Sequence, residues 1–318
     1  MNTLRQAVQE YLALRRSLGF ELHRAGPALL DFVSFLKQHR ASYVTVPLAL
    51  AWATQRSGAH ADTWAAQRLS FVRLFARYRS ATDPRTQIPP AGLLPFRPRR
   101  ARPYLYSDKE IQQLLRATLH KPLSPRHRKR CSLLPWVYYC LFGLLSVTGL
   151  RLGEARNLEL QDVDLKAGVL TIRGAKFGKD RLVPLHASTC RVLADYLARR
   201  QRHWAGRAVS SYLFVSSWGN RLDSAQIHRA FYAVSRQIGL RGDSDSHGPR
   251  LHDLRHRFAS KTLLQWYRAG EDPERCLPTL SAYLGHVHWS DTFWYLSALP
   301  ELMRSAMSRL ERHWEQRP

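Results

Sequence analysis

Acidic residues, lysine, cysteine and long apolar runs are all scarce in this chain. Asp and Glu number 24 against 49 Lys plus Arg, a formal net charge of +25 over 318 residues, and only eight of those cations are lysine. A surplus of that size repels itself in any compact state and implies a polyanionic partner, nucleic acid ahead of an anionic membrane surface. The four cysteines, Cys131, Cys140, Cys190 and Cys276, stand far apart with no C-x-x-C spacing. That excludes a disulfide framework and a zinc ribbon and leaves reduced, mostly buried thiols. The most apolar stretch, 133–150, is interrupted by Pro135 and Gly143 and contains Ser146 and Thr148. It falls at or below the ~20 apolar residues of a spanning helix and reads as a core helix. Residues 1–20 scatter charge through an amphipathic pattern, unlike a signal peptide, so a cytoplasmic protein with no membrane partner is expected. Neither a Gly-rich phosphate loop nor a carboxylate cluster is present.

What remains is an ordinary globular composition, 45% hydrophobic and 23% charged, which excludes wholesale disorder. Residues 1–82 read as a helical N-terminal unit. Leu4, Val8, Tyr11 and Leu12 share one helical face, Leu29, Phe32, Val33 and Leu36 another; a third helix starts near Pro47 and a fourth spans 61–78. In the fourth, Arg68, Arg73 and Arg77 interleave with apolar positions, and these are the expected DNA-facing side chains. Six prolines and the basic cluster Arg97, Arg99, Arg100 and Arg102 make 83–103 a linker able to lie along a duplex. The second domain, 104–318, opens with the capping-box pattern Ser107 to Glu110. Two β-like runs, 168–173 and 181–185, form a hairpin turning at Phe177-Gly178, and helical periodicity follows over 189–203, 224–238, 252–266 and 301–314. The fold class is mainly α with a small antiparallel β-sheet, an α+β second domain behind a helical first one.

Four segments carry polar groups suited to phosphoryl transfer. T-G-L-R-L-G-E places Arg151 at a helix junction with Glu154 three residues on. A turn holding Lys176 leads into R-L-V-P-L. H-D-L-R-H sets His252 beside Arg255 at i, i+3, and also sets His252 and His256 at i, i+4, where zinc is the competing reading. The metalloprotease pattern wants Glu after the first His, and here Asp253 stands there. Finally, L-G-H brings His286, with Tyr295 nine residues later. Each segment alone fits a bland reading: a surface ion pair, a harmless turn lysine, a packed aromatic.

Together and in this order, Arg151, Lys176, His252, Arg255, His286 and Tyr295 resemble the signature of the tyrosine recombinase (phage integrase) family, over about 104–314. The first 82 residues resemble its core-binding domain in size and helicity. The resemblance implies a site-specific recombinase acting on double-stranded DNA with Tyr295 as nucleophile, Arg151 and Arg255 clamping the phosphate, and Lys176 as general acid. His252 would take the Tyr295 proton or bond the phosphate, His286 would donate a further hydrogen bond, and Glu154 would orient Arg151 or His252. It implies no metal, nucleotide or other cofactor. The DNA would be held in a C-shaped clamp and exchanged through a Holliday junction by a homotetramer on two sites, with the last helix, carrying Leu302, Met303, Ala306, Leu310 and Trp314, either docked on a neighbour or packed on its own domain. A mobile-element setting is expected. The rival readings are a type IB topoisomerase-like nicking enzyme and a non-catalytic DNA-binding protein on the same scaffold.

Overall fold

The computed structural model describes residues 3–55, 61–95, 103–120, 133–175, 179–242, 245, 248–286, 288, 291–292, 295, 304, 307 and 311. The chain divides into two compact units, 1–101 and 102–318.

In the first unit α1 (Leu4–Ser17), α2 (Ala25–Gln38), α3 (Val46–Thr54) and α4 (Ala61–Ser80) surround one core. Thr3 and Gln6 close a capping box that starts α1, and the Thr45 side chain caps α3 just before Pro47, each satisfying an orphan N–H. The apolar faces bury Val8, Leu29, Phe32, Leu36, Trp52, Leu69 and Phe75. The segment from Asp83, expected as linker, departs from that reading through Leu94. It is a strap fixed to the first unit. Gln87 N donates to Val44 O (2.8 Å), and Val46 N donates to Gln87 Oε1 (2.9 Å). Arg73 donates from Nε to Pro89 O and from Nη2 to Pro90 O, both 2.7 Å, and Leu94 packs on the core. Proline forbids helix but leaves carbonyls exposed for a guanidinium, so extended does not mean detached.

The second unit is built around α6 (Leu134–Thr148), with α5 (Asp108–Leu119), α8 (Ala187–Trp204) and α10 (Asp253–Arg268) packed on it. The Ser107–Glu110 capping box is formed. α6 occupies the expected core position, burying Val137, Leu141, Phe142, Leu144 and Leu145. Among the described residues no helix is long and apolar enough to cross a membrane. The expected hairpin is β2 (Val169–Ala175) and β3 (Lys179–Pro184), joined on the β2 side by a two-residue β1 (Val163–Asp164) in the antiparallel order β1-β2-β3. Leu170 pairs with Val183 and Ile172 with Arg181. A short α7 (Leu152–Asn157) and α9 (Ser224–Gln237) complete the frame, with α11 (Pro273–Leu284) beside α10.

The sequence reading did not anticipate α11. Pro278 lies inside it, and a proline in a twelve-residue stretch reads as a breaker. Burial of Leu277, Leu280 and Leu284 in a cluster with Ala259 and Leu263 of α10 outweighs that local cost. Cys140 is buried and Cys190 and Cys276 are half-buried, all as free thiols. The last expected helix lies almost wholly outside the described residues, with Arg304, Met307 and Glu311 helical.

Candidate active site

The site begins where α6 stops. Gly149 ends that helix in the left-handed region (φ 62°, ψ 19°), open to a residue without Cβ at little strain. The chain then reverses into α7, with Arg151 at its N-cap. Glu154, in the first turn of α7, accepts from Arg151 N and from Arg151 Nη1, each at 2.9 Å. Its carboxylate is 7% exposed and takes a second guanidinium: Arg181 of β3 donates from Nη1 to Oε1 (3.1 Å) and from Nη2 to Oε2 (2.8 Å). Burial pushes the Glu154 carboxyl up, but the bonds from Arg181 and Arg151 outweigh it and hold its pKa below the ordinary value.

Arg255 rises from the first turn of α10 and is 2% exposed. It donates from Nη1 to Gly149 O and from Nη2 to Leu284 O, both 2.7 Å. Burial, reinforced by Arg151, lowers its pKa to about 10; it remains a cation at neutral pH. Arg151 reaches the same helix end, donating from Nη2 to Gly285 O (3.1 Å) and from Nη1 to Leu284 O (3.4 Å). Arg181 Nε donates to Tyr283 O (2.9 Å). Three guanidiniums thus converge on three consecutive carbonyls at the C-terminus of α11. Those carbonyls have no helical partner and sit at the negative end of the helix dipole, which favours cations there. Three guanidiniums against the one carboxylate of Glu154 leave two formal positive charges on rigid supports.

Tyr295 is 3% exposed and hydrogen-bonded to Arg255. Its ring lies 6.1 Å from that of His286, nearly parallel, and 5.5 Å from that of His256. Burial raises the phenol's pKa, with Arg255 and Arg151 opposing. His286 follows the αL residue Gly285 (φ 68°) and shares a 2.7 Å hydrogen bond between Nδ1 and Thr292 Oγ1. Burial and the two arginines bring its pKa to about 4. His252 stands at the N-terminus of α10 with its ring 4.8 Å from that of His256. It reaches solvent, yet the protein packed against it and Arg255 keep its pKa below the usual imidazole value. His256 falls to about 4, through burial and then His252. The site therefore couples fixed cations to a protonated phenol and neutral imidazoles, a set that can bind a phosphate and move one proton.

The phage integrase family profile matches residues 106–301. The chain belongs to that family. It is 64% identical over 317 residues to y4rB of Sinorhizobium fredii, covering all of both chains. Among solved structures it resembles the Tn1549 transposon integrase in complex with transposon right end DNA (TM-score 0.65, 15% identity, 98% of this chain and 99% of that one). It also resembles a lambda integrase tetramer bound to a Holliday junction (TM-score 0.59, 18% identity, 91% of this chain and 77% of that one). At those identities the likeness is one of fold.

Of the six family-signature positions, the structure brings Arg151, Arg255, His286 and Tyr295 together and places His252 at the start of the same helix as Arg255. Glu154 stands where expected but serves two arginines. Lys176 lies outside the described residues; the strands that carry its turn are described, with Gly174 N donating to Asp180 Oδ1 (2.8 Å) across them. Asp253, which stands where the metalloprotease pattern of the competing zinc reading has Glu, has its carboxylate engaged by Arg250 N and Nη2, both 2.8 Å. Among the described residues no group of three His, Cys, Asp or Glu could hold a metal ion.

The expected DNA-facing arginines separate. Arg68 is 3% exposed, lies over the Trp52 ring at 3.8 Å and donates from Nη2 to Asp31 Oδ2 (3.3 Å). It is a packing residue of the first unit, because α4 turns that side inward. Arg73 holds the proline strap, Arg77 is exposed, and Arg97, Arg99, Arg100 and Arg102 lie outside the described residues.

The sequence reading missed Arg181 and Thr292, and it weighed His256 only as a zinc ligand, not as a neighbour of Tyr295. Arg181 had a signal: it shares a strand face with buried Val183, while Leu182 between them is 65% exposed. A cation on the inward face of a strand requires a buried partner.

Proposed function

We propose that this chain is a site-specific DNA recombinase that cuts and rejoins strands through a 3′-phosphotyrosyl intermediate. The observation that carries the reading is Arg255, held by two carbonyls beside Arg151 and hydrogen-bonded to the buried Tyr295. Tyr295 Oη attacks the scissile phosphorus, the P–O5′ bond breaks, and the strand leaves with a 5′-hydroxyl. Attack by a free 5′-hydroxyl reverses the exchange, so the phosphotyrosyl bond conserves the energy of the one broken.

Arg151 and Arg255 meet the charge that gathers on the non-bridging oxygens. Their supports are already fixed, so little reorganisation accompanies the reaction. The raised pKa of Tyr295 keeps it protonated until attack, when it needs an acceptor; the lowered pKa of His252 makes that imidazole neutral and able to accept. With His286 Nδ1 engaged by Thr292, its Nε2 is left to bond a phosphate oxygen. Lys176 supplies the proton for the 5′-oxygen. Glu154 positions Arg151. The physiological assembly is a homotetramer joining two duplexes through a Holliday junction.

Nicked suicide duplexes cut from DNA flanking the gene test this. The wild-type chain should leave an SDS-resistant, protease-sensitive protein–DNA adduct, and Tyr295→Phe should bind the same DNA and leave none. An adduct of undiminished yield from Tyr295→Phe would sink the assignment.

A further inference from the structure

We infer that Arg181 is a positioning residue for strand cleavage, setting the Arg151 clamp through Glu154; this rests on the function proposed above. Arg181 meets Glu154 with both terminal nitrogens, one to each oxygen. The same two oxygens receive Arg151, Oε1 its Nη1 and Oε2 its backbone N–H. Glu154 is thus a planar bridge between two guanidiniums, and its own rotation is blocked from the β3 side. Without Arg181 the carboxylate would keep one partner and could turn about its side-chain torsions, taking Arg151 with it.

A second contact fixes the other end of Arg151. Arg181 Nε bonds Tyr283 O, the carbonyl just before the Leu284 and Gly285 oxygens that Arg151 uses. The fit is close: a Cβ on Gly285 would lie 2.8 Å from Arg181 Nη1 and 3.0 Å from its Cζ, so glycine at 285 is what admits the guanidinium. One side chain on the strand leading away from the Lys176 turn therefore braces both supports of Arg151. Lysine cannot replace it, since one ammonium cannot make two parallel bonds to a carboxylate and a third to a carbonyl.

The test uses the full chain and the suicide duplex that yields adduct with wild type. Adduct formation is timed at saturating DNA, alongside DNA affinity and the thermal midpoint. Arg181→Met should slow cleavage about 10- to 100-fold, taking as a guide the loss when the outer partner of a metal-binding side chain is removed, with affinity within about threefold. Arg181→Lys should recover only part of the rate. Glu154→Gln combined with Arg181→Met should be no slower than the slower single variant, because both act on Arg151.

A duplex with sulfur at the 5′ bridging position, whose thiolate leaves without a proton, separates clamp from general acid. The Arg181→Met deficit should persist on it. Restoration by sulfur would place the effect on the Lys176 turn and overturn the inference, as would multiplying effects in the double variant or an unchanged rate. Should Arg181→Met fail to fold, Arg181→Lys decides, and a wild-type rate from it overturns the bidentate brace. Failure of wild type to form adduct on any duplex would instead remove the functional reading itself.

Discussion

Two glycines six residues apart, Gly143 within α6 and Gly149 capping it, should respond to alanine with opposite sign. Gly149 sits at φ 62°, where a Cβ costs about 1–2 kcal/mol. That Cβ would also lie 2.6 Å from Phe258 Cδ1 and 3.1 Å from Leu284 Cδ2. The Phe258 ring cannot easily retreat, because it is stacked on Tyr283 at 5.4 Å; overpacking of this kind costs about 1–3 kcal/mol. Gly149→Ala should therefore destabilise by about 2–5 kcal/mol, the sum of the two. Gly143 lies mid-helix, and its added Cβ would meet only Leu115, at 3.8 Å. Gly143→Ala should stabilise by about 0.4–1 kcal/mol, through the reduced freedom of the unfolded chain. Chemical denaturation of the full chain reads both. Cleavage rate adds an independent reading, because Gly149 O is a support of Arg255: Gly149→Ala should cleave slowly even well below its denaturation midpoint, and Gly143→Ala should cleave at the wild-type rate. A Gly149→Ala chain as stable as wild type would refute the steric argument, and one of normal activity would refute the carbonyl support.

The arginines of α4 should divide by burial. Arg68→Ala should lower the stability of the first unit by about 1–3 kcal/mol, by emptying the buried space its side chain fills over the Trp52 ring, and leave the salt dependence of DNA binding unchanged. Arg77→Ala should leave stability within about 0.5 kcal/mol and, if Arg77 meets a phosphate, flatten the slope of log affinity against log salt by about one. Acid should unfold the second unit early. His256 and His286 have pKa values near 4 against 6.5 in the unfolded chain, so the unfolded state takes up more protons below 6.5. Their stabilising contribution is complete above pH 6.5 and is lost as pH falls towards 4, with a slope approaching two protons. Denaturation midpoints across that window check this, His256→Asn should shallow the slope, and a flat profile would contradict the burial of both rings.

The proposed catalytic set was legible because its chemistry is written in short strings whose order and spacing survive without coordinates. Arg151, His252, Arg255, His286 and Tyr295 were all named from such strings. So were the core role of 133–150, set by a largely apolar stretch too interrupted to span a membrane, and the hairpin around Lys176, set by period-two runs on either side of a Gly turn. Local rules failed where two distant segments had to meet. Pro278 argues against α11 until α10 offers an apolar face. The prolines after Asp83 argue for a free linker until Arg73 meets their carbonyls. Basic periodicity in α4 does not say which arginine faces Trp52.

The sequence by itself determined which groups are candidates for the proposed chemistry, since identity and order along the chain are local properties. Only the tertiary structure decided how those groups are held. The carbonyls of Tyr283, Leu284 and Gly285 are invisible in a sequence because every residue has one. They become a three-arginine anchor only when a helix end, a strand and two helix starts arrive at the same place, and Arg181 acquires a role there that its own neighbours in the chain never specify.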